Sequence, residues 1–487
     1  MKRVFVILLA TIFIAVGAVV VFIATLNLNA YKPQIIKAVK DSSGLDLSID
    51  GKISLSFSPV GLSVNDIKIA NPNMPQKTPF ATLKSFEVAF ELMPLLKKEV
   101  KVKYLQFSDG DIKILKYKDG KINAIASSKS ADSKQVSREN QKPMPAIMAD
   151  QIILKNIDIT YDDLGNSTRV KVRKMDVLLE NISLSNSDDV IKAVMFEGNL
   201  DIKEVSYDKH KMSDIEAVFG LKDAVFDISK LEYTIFNSRA SGSAKVEMAL
   251  NTKVSIKNKI SKLDVGVATK ELNGKEIFKG FVDTDISLSF IGNDAKSIKQ
   301  SLGGKITLSG QDIGLQGYDL DKILEQYNKS QNLDVKDMGS FLVAGPLGLL
   351  ASKSYDGANL SKSIEGGATT FKQVHVEADI SDGVVTLSDV AISTEKNRVA
   401  LKGGFDIVSE KIMDVQVGIL DNAGCAKYQQ TVQGTFSKPS VKIDKVAVES
   451  VVNIATSLFG KIKGNEQESK QQTSTCKAFY DGVVKHP

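Results

Sequence analysis

Residues 45–57 read LDLSIDGKISLSF and set the pattern that most of the chain follows. Apolar residues occupy every second position in Leu45–Ile49 and again in Ile53–Phe57, on either side of Asp50-Gly51. Residues two apart in a strand lie on the same face, so this period predicts strands with one apolar and one polar face. An Asp-Gly pair between two such runs is a strong turn signal, and the stretch therefore predicts a β-hairpin.

The same alternation continues through most of the protein. Further alternating runs are Phe86–Leu92, Val100–Tyr104, Phe196–Ile202, Ile215–Leu221, Ala244–Leu250, Ile286–Phe290, Val374–Val376 and Val415–Ile419. Asp109-Gly110, Asp119-Gly120 and Asp382-Gly383 add turn signals between runs. One clean apolar face and one polar face are typical of an antiparallel sheet that is covered on a single side.

A weak internal repeat lies within this alternation. At each repeat, two alternating runs meet at an Asn or Asp, and the apolar residues change there from even to odd positions or the reverse, which we call a parity flip. The four flips lie in Leu62–Ile69 (Asp66), Leu154–Ile159 (Asn156), Leu179–Leu184 (Asn181) and Leu387–Ile392 (Asp389). A one-residue shift of parity is what a bulge or strand crossing produces. The recurrence is compatible with chance matches in a long β protein, or with a sheet extended by one supersecondary unit at a time.

Val4–Leu26 is an uncharged apolar stretch near the N-terminus. A helix needs roughly 20 such residues to cross the ~30 Å hydrocarbon layer of a membrane. The stretch is too long for the apolar core of a cleavable signal peptide, although Leu28-Asn29-Ala30 is a weak cleavage-like ending. We expect an uncleaved anchor with its N-terminus in the cytoplasm, because Lys2 and Arg3 are the charges nearest to it.

Helices are predicted at a few places after the anchor. Tyr31–Ser43 has Pro33 in its first turn and Gly44 at its end. The later candidates are Asp294–Leu302, Asp319–Tyr327, Met338–Leu350 and Lys445–Phe459. The last of these is amphipathic, and either packs against one end of the sheet or touches a membrane.

Two polar stretches interrupt the alternation. Ser127–Asn140 has no aromatic residue and has Val136 as its single large aliphatic one, so Ala126–Asp150 predicts a disordered linker or a long surface loop. Gly464–Thr475 predicts a polar tail. The predicted organisation is an anchor (1–30), an N-terminal β segment (31–125), the linker (126–150), a continuing β-groove with interspersed helices (151–440), and a C-terminal amphipathic helix with its tail (441–487).

Composition and motifs exclude several classes of function. The net charge of +5 arises from 63 basic and 58 acidic residues, and the few arginines are not clustered, so we expect no nucleic-acid partner. His210, His375 and His486 lie far apart and match no metal-ligand spacing. The chain has no nucleophile elbow, dinucleotide-binding turn or kinase motif. We therefore expect no enzyme, no metal site and no cofactor.

The only cysteines, Cys425 and Cys476, are separated by 51 positions and match no metal-ligand spacing. In a reducing compartment they would stay as thiols, whereas outside the cytoplasm they can close one disulfide. Because we expect the bulk of the chain outside the cytoplasm, we predict the bridge.

The apolar face of the predicted sheet has to be covered, since large exposed apolar patches are unusual without a partner. Either a second protein layer or the acyl chains of lipid can cover it. The shortage of predicted helices favours a groove that lipid fills at least in part. The candidate lining residues are Ile53, Leu55, Phe57, Phe86, Val88 and Phe90.

Several of these stretches resemble the AsmA family of envelope proteins. The N-terminal resemblance covers the anchor, Tyr31–Gly44, Leu45–Phe57 and Leu92–Leu96. The more specific C-terminal resemblance covers Phe341–Gly348, Asn397–Gly404, Gly424-Cys425, Gly434–Pro439 and Cys476–Gly482. Residues 200–300 share with the family only the general alternation of apolar and polar residues, without specific motifs. The resemblance implies an inner-membrane anchor and a periplasmic body similar to the chorein-type groove of bridge-like lipid transfer proteins, without catalytic residues.

The expected fold is mainly β: one N-terminal transmembrane helix, then an elongated, twisted, groove-like antiparallel sheet with a few flanking helices. The expected function is to bind and to move or organise phospholipid between envelope membranes, in support of outer-membrane biogenesis. The alternative is a scaffold or assembly factor for outer-membrane proteins or lipopolysaccharide that carries no lipid. The expected partners are the membrane, phospholipid acyl chains and other envelope proteins.

The orientation of the anchor can be tested with a reporter. Alkaline phosphatase fused after Lys485 should be active in a Gram-negative host, because the enzyme folds only outside the cytoplasm. Activity of a cytoplasm-specific reporter at the same position would show the reverse orientation.

Overall fold

The computed structural model describes residues 28–57, 59–74, 78–91, 93–94, 101–125, 149–184, 189–322, 324–325, 366–443, 476 and 478–487. The chain divides into two compact units, Met1–Phe226 and Asp227–Pro487, which we call unit 1 and unit 2. Both are mainly β, as the alternation predicts. The predicted anchor Val4–Leu26, the helices Met338–Leu350 and Lys445–Phe459, and the tail Gly464–Thr475 lie outside the described residues.

Strands dominate the described part of unit 1. Its elements are a 3₁₀ turn (Leu28–Tyr31), helices α1 (Lys32–Ser43) and α2 (Val190–Ala193), and strands β1 (Asp46–Ile49), β2 (Ile53–Phe57), β3 (Val60–Ala70), β4 (Ala81–Phe90), β5 (Val102–Lys116), β6 (Ala149–Asp163), β7 (Thr168–Leu184), β8 (Val194–Tyr207) and β9 (His210–Lys222). The prediction of a helix that ends at Gly44 is confirmed, since Gly44 adopts a left-handed φ of 71° and its N–H bonds to the Lys40 carbonyl.

The predicted hairpin of β1 and β2 is wrong. Both strands pair with β3, one with each half of it. Asp50-Gly51 is a break between two collinear strands, where the Asp50 N–H bonds to the Asp66 carbonyl at 2.9 Å. A Cβ on Gly51 would lie 2.6 Å from the Asn65 carbonyl oxygen, so the dipeptide marks close backbone approach instead of a turn.

The predicted antiparallel sheet contains a parallel pair, which the sequence pattern did not predict. Strands β5 and β6 pair in parallel, from Val102↔Ala149 to Lys116↔Asp163. A parallel pair needs a long crossover connection, and the chain between these strands is long enough to return to the starting end. Most of the predicted linker, residues 126–148, lies outside the described residues, whereas Ala149 and Asp150 already belong to β6.

A line of left-handed residues crosses the sheet of unit 1. Asp66, Asp109, Asn156, Lys174 and Asp214 have φ between 49° and 54°, and we call them the kink line. Each lies at the point where the ladder of its strand is interrupted. Asp109, Asn156 and Lys174 lie on successive strands, whereas Lys84 of β4 and Lys203 of β8, which lie on the same line, do not have a positive φ. Asn and Asp tolerate this conformation better than most residues. Asp109-Gly110, which we predicted as a turn, is part of this line in the middle of β5.

The structure confirms that the parity flips mark irregularities within strands. Asp66, Asn156 and Asn181 all have positive φ, and the ladders shift register beside Asn156 and Asn181. At Asp389 the ladder also shifts register, although that residue does not have a positive φ. Each flip therefore returns the apolar residues of both strand halves to the same face of the sheet.

The described part of unit 2 continues the β architecture with a few short helices. Its elements are β10 (Val225–Ile235, which begins in the last residues of unit 1), β11 (Ser238–Glu247), β12 (Lys253–Asp264), α3 (Val265–Asn273), β13 (Phe278–Lys279), β14 (Phe281–Ile291), α4 (Ala295–Ser301), β15 (Gly303–Gln316), β16 (Ala368–Ser381), β17 (Val384–Ser393), β18 (Arg398–Asp406), β19 (Lys411–Leu420), β20 (Ala426–Thr435) and β21 (Lys438–Ile443). Helix α4 confirms the prediction at Asp294–Leu302, and Asp294 caps it. Helix α3 was not predicted.

Unit 2 has a packed hydrophobic core on one face of its sheet. Leu320 and Leu324 are only 1% exposed and pack against strand side chains that include Val399, Val415 and Val432. Residues 320–322 and 324–325 are helical, in agreement with the helix predicted at Asp319–Tyr327. In unit 2, therefore, the chain itself covers the apolar face.

A C-terminal segment covers the opposite face of strands β17–β19. Phe479, Tyr480 and Val484 are buried against Ala391 and Ala400, which are register partners with no exposed surface. The small alanines leave room for these rings, and Gly418 leaves more, because a Cβ on it would lie 2.8 Å from the Phe479 ring.

Polar contacts fix the same segment. The Arg398 guanidinium, itself buried, donates to the Val484 carbonyl at 3.2 Å. The Tyr480 hydroxyl donates to the Asp389 carboxylate at 2.5 Å. Burial, and then the neighbouring carboxylate, raise the pKa of Tyr480, so the hydroxyl keeps its proton as a donor. A disulfide joins Cys476 to Cys425, with Cα atoms 6.2 Å apart.

Substitution of Asp66 tests the kink line. Asp66→Val puts a β-branched residue into a left-handed conformation that costs roughly 1–2 kcal/mol for ordinary residues, whereas Asp66→Gly does not. Amide hydrogen exchange of a peptide spanning residues 60–70 should therefore be roughly 5–30-fold faster in Asp66→Val than in Asp66→Gly. Equal protection in the two variants would contradict a backbone requirement at this position.

The disulfide predicts a strong tether for the C-terminal segment. Closing a loop of about 50 residues contributes roughly 4 kcal/mol in the chain-entropy model. Labelling of the denatured, unreduced protein should find neither cysteine free, and Cys476→Ser should expose residues 478–487 to exchange. Two reactive thiols in periplasmic material would contradict the bridge, and Ser440→Ala serves as a control on an exposed strand.

Candidate functional site

The main candidate site is an apolar cavity of about 610 Å³ in unit 1. Helix α1, strand β1 and strands β3–β7 form its wall. The lining residues are Ile35, Val39, Leu47, Ile49, Leu62, Val64, Ile67, Ile69, Ala81, Thr82, Leu83, Phe86, Val88, Phe107, Gly110, Ile112, Leu154, Ile157, Ile159 and Met175. None of these side chains is ionisable, and only Thr82 has a polar group.

The lining comes from both sides of the kink line. In β3, Leu62 and Val64 precede Asp66, and Ile67 and Ile69 follow it, yet all four line the cavity. Without the flip at Asp66, a strand of period 2 would turn one of these two pairs to the polar face. The left-handed residues of β3, β5 and β6 therefore help to build the cavity, because they let both halves of these strands contribute to one wall, whereas β4 does so without a positive φ.

Strand register extends this wall beyond the cavity. Cross-strand partners form four apolar rows from β1 and β2 to β9, interrupted only by Gly110 and Gly198. The rows are Leu47–Ile69–Ala81–Ile112–Ile159–Val172–Val205–Met212; Ile49–Ile67–Leu83–Gly110–Ile157–Met175–Ile202–Ile215; Ile53–Val64–Phe86–Phe107–Leu154–Val177–Leu200–Ala217; and Leu55–Leu62–Val88–Leu105–Ile152–Leu179–Gly198–Phe219. We call this surface the apolar face of unit 1.

Charged groups of unit 1 lie on the other face, along the kink line, and at one edge of the apolar face, where Lys116 pairs with Asp163 at 3.0 Å. Lys84 lies 3.9 Å from Asp109, and Lys203 forms an ion pair with Asp214. The Asn156 amide donates to the Asp109 carboxylate at 2.5 Å. Along the kink line these side chains are exposed, so such pairs contribute little to stability and mainly keep the outer surface hydrated.

In the part of the chain that the structure describes, no packed layer of buried side chains covers the apolar face of unit 1. Among the described residues, both clusters of mutually packed buried hydrophobic side chains belong to unit 2. In unit 1, Phe86 and Phe107 stack with ring centroids 4.8 Å apart, but both rings remain partly exposed. Of the described helices, α1 reaches the cavity, through Ile35 and Val39, and none of its residues is buried.

The structure places the predicted lining residues as follows. Phe86 and Val88 line the cavity. Ile53 and Leu55 lie beside it in two of the apolar rows, and Ile53 is buried. Phe90 follows on the same face at the end of β4, and the side chain of Phe57 lies outside the described residues. Whether these residues contact lipid stays a prediction.

Sequence reasoning missed most of the wall. The contributions of β6 and β7, such as Leu154, Ile157 and Met175, were not assigned to the groove. The parity flip at Asn156 was the available signal, because it marks β6 as a strand of the same type as β3. What the pattern did not give was the order of the strands, which decides which apolar runs share one wall.

Other kinds of site find no support in the described part of the chain. No group of three or more His, Cys, Asp or Glu side chains there is arranged to hold a metal ion. No helix among the described residues, which begin at Leu28, is long and apolar enough to cross a bilayer.

Comparison with known proteins identifies the family. The model of the AsmA family matches residues 1–201 and 187–390, which together make up most of the chain. No curated protein matches the sequence. Because the family match extends across the anchor-like stretch, the whole apolar face of unit 1 and much of unit 2, the chain belongs to the AsmA family.

Proposed function

We propose that unit 1 binds the acyl chains of phospholipid on its apolar face, and that the protein moves or organises phospholipid between the envelope membranes. The observation that carries this proposal is the cavity wall, which consists of hydrocarbon with one hydroxyl and no ionisable group. A polar ligand would lose its hydrogen bonds to water there without replacement, at a cost of several kcal/mol. Hydrocarbon is the chemistry that such a wall accepts.

The dimensions are compatible with acyl chains. The cavity volume of about 610 Å³ lies within the range of roughly 300–1,000 Å³ that is usual for bound organic ligands. The four rows extend over eight strand positions, which span roughly 34 Å at about 4.8 Å per strand. One leaflet of a bilayer has a hydrocarbon depth of about 15 Å, half of the usual core thickness. The face therefore has room for a whole chain lying across the strands.

The setting that we propose is the periplasm, with the N-terminal stretch anchored in the inner membrane. The Cys425–Cys476 disulfide supports an oxidising compartment. Family membership supports a role in the envelope. In this setting, lipid delivered along the apolar face would support outer-membrane biogenesis without any catalytic step.

The competing proposal is a scaffold or assembly factor for outer-membrane proteins or lipopolysaccharide. The packed core of unit 2 favours it, because there the chain covers its own apolar face. Lipid analysis distinguishes the two proposals. Gentle extraction followed by mass spectrometry should find phospholipid bound to the protein if unit 1 is filled by lipid, whereas captured β-barrel assembly partners without lipid would favour the scaffold.

A charge placed in the wall provides the sharper test. In Val88→Asp, an ionised carboxylate occupies the path of the acyl chains, and an open face leaves it access to water. We expect at least a tenfold lower ratio of phospholipid to protein, with the anchored protein retained. Leu55→Asp, in the same apolar row, should act in the same direction with a smaller effect.

Ser54→Asp is the matched control, because it adds the same charge on an exposed position of the opposite face. It should leave the lipid ratio unchanged. If Val88→Asp instead causes unfolding or degradation, the face is a dry packed core, since an unpaired buried charge costs several kcal/mol. If Val88→Asp retains both protein and lipid, the apolar face is not the binding surface.

A further inference from the structure

A second, polar pocket lies within unit 2. Its volume is about 780 Å³, and it is formed by strands β12, β14, β15 and β16 together with the C-terminal segment. Its lining residues are Lys262, Phe281, Asp283, Ser309, Gly310, Gln311, Gln373, Val374, His375 and Val483. Unlike the cavity of unit 1, it combines hydrogen-bond donors, acceptors and one exposed aromatic ring.

Strand register places the polar side chains of the pocket in two neighbouring rows, which we call the polar grid. Asp283, Ser309 and His375 are successive cross-strand partners, so they form one row on the same face. Gln311 and Gln373 are partners in the neighbouring row. Phe281 lies two residues before Asp283 in β14 and therefore presents its ring on the same face. Its exposed fraction is 57%.

Several contacts hold this grid in place. Ser309 Oγ lies 2.8 Å from His375 Nδ1, and the Lys262 N–H donates to Asp283 at 2.8 Å. The Gln373 amide oxygen accepts the Lys485 N–H at 3.2 Å, which ties the C-terminal segment to the rim. Within the described part of the chain, the Gln311 side chain and Nε2 of His375 have no hydrogen-bond partner. The contacts of Ser309, Lys262 and Gln373 therefore hold the pocket in shape, while the Gln311 side chain and His375 Nε2 remain available to a ligand.

The surroundings restrict what the pocket can do. Strands β14–β16 each have a neighbouring strand on both sides, so a peptide cannot be added as a further strand. Among the described residues, no carboxylate bonds to His375, so the Ser309–His375 pair lacks the third group that orients the base in acyl-transfer sites. Lys262 and Asp283 have opposite charges, so the lining favours neither anions nor cations.

We propose that this pocket binds a neutral saccharide. Each sugar hydroxyl both donates and accepts a hydrogen bond, and the grid offers donors and acceptors side by side in Gln311, His375 and Asp283. A pyranose ring also has a face of C–H groups, which packs on an exposed aromatic ring such as that of Phe281. Planar polar side chains beside one aromatic ring fit this ligand class better than a charged headgroup.

The first experiment measures binding of soluble sugars. Saturation-transfer NMR is recorded on the full chain in lauryl dimethylamine oxide, because a glycoside detergent would occupy the pocket itself. The probes are maltotriose and the trisaccharide of N-acetylglucosamine, and inorganic phosphate is the anionic comparison. Transfer should reach the C–H protons of at least one trisaccharide. Phe281→Ala should weaken this binding about tenfold, as expected for one aromatic contact.

Two further variants keep the test independent of folding. Gln311→Ala alters an exposed polar side chain and should weaken binding in the same direction as Phe281→Ala. Phe436→Ala, which removes another exposed aromatic ring of unit 2, should leave it unchanged. Equal transfer in wild type, Phe281→Ala and Gln311→Ala would overturn the proposal. So would binding of phosphate without binding of either trisaccharide.

The second experiment distinguishes a free saccharide from the headgroup of a glycolipid. Flotation is measured with phosphatidylcholine vesicles that contain or lack glucosyl diacylglycerol. Enhanced flotation that free trisaccharide competes away and that Phe281→Ala abolishes assigns the pocket to a glycolipid headgroup. Trisaccharide binding without enhanced flotation assigns it to a soluble glycan. Absence of both signals in the folded wild-type protein rejects a saccharide site altogether. Because Val88 is not part of this pocket, failure here leaves the lipid test of unit 1 unaffected.

Discussion

Unit 1 depends on one backbone constraint, the change of side-chain parity within its long strands, which the left-handed residues of the kink line produce in β3, β5, β6, β7 and β9. A β-strand sends successive side chains to opposite faces, so a long strand without interruption has a fixed parity. At Asp66, Asp109 and Asn156 the backbone takes a positive φ, and the parity changes. The apolar residues of both strand halves then meet on one face. Because neighbouring strands flip at matching positions, the change is shared across the sheet and a cavity becomes possible.

The two units solve the same problem in different ways. An antiparallel sheet with an apolar face must cover that face, since water in contact with it costs free energy in proportion to its area. In unit 2, Leu320 and Leu324 cover one face and the segment with Phe479 and Tyr480 covers the other. In unit 1, helix α1 reaches only the cavity. Among the described residues, the two apolar faces thus differ in which segments pack on them, and not in the strands themselves.

The sequence pattern predicted the strands, their apolar faces and the irregularities at Asp66 and Asn156. It did not predict strand order, because alternation reports the face of a residue and carries no information about its partner. The dipeptides Asp50-Gly51 and Asp109-Gly110 misled for a related reason. A turn and a kink within a strand both need residues that tolerate unusual backbone angles or close approach, so the same dipeptide serves in both. Only the long-range pairing distinguishes them.

Helix α3 was missed although its ends carry local signals. Asp264 caps it by accepting the Val267 N–H at 3.0 Å, and Gly274 ends it with a φ of 79°. Its first turns contain β-branched residues and a glycine, which lower helix propensity. The alternating strand pattern around this segment therefore favours strands, and the sequence does not predict a helix there. Tertiary packing decides such a case, because Gly266, Ala268 and Thr269 are buried and small enough to lie close to neighbouring strands.

The chemistry of the cavity wall also limits how the proposed lipid binding can discriminate. A wall without ionisable groups recognises the length and shape of hydrocarbon, and it cannot distinguish one phospholipid headgroup from another. A headgroup bound there would lose its water shell without compensation, so it has to remain at the hydrated edge of the apolar face. Selection among headgroups therefore requires polar side chains outside the wall. In the described part of unit 1, such side chains occur along the kink line, on the opposite face and at the edge of the apolar face, where Lys116 pairs with Asp163. Selection among headgroups therefore belongs to these positions, and the wall itself acts on all phospholipids alike.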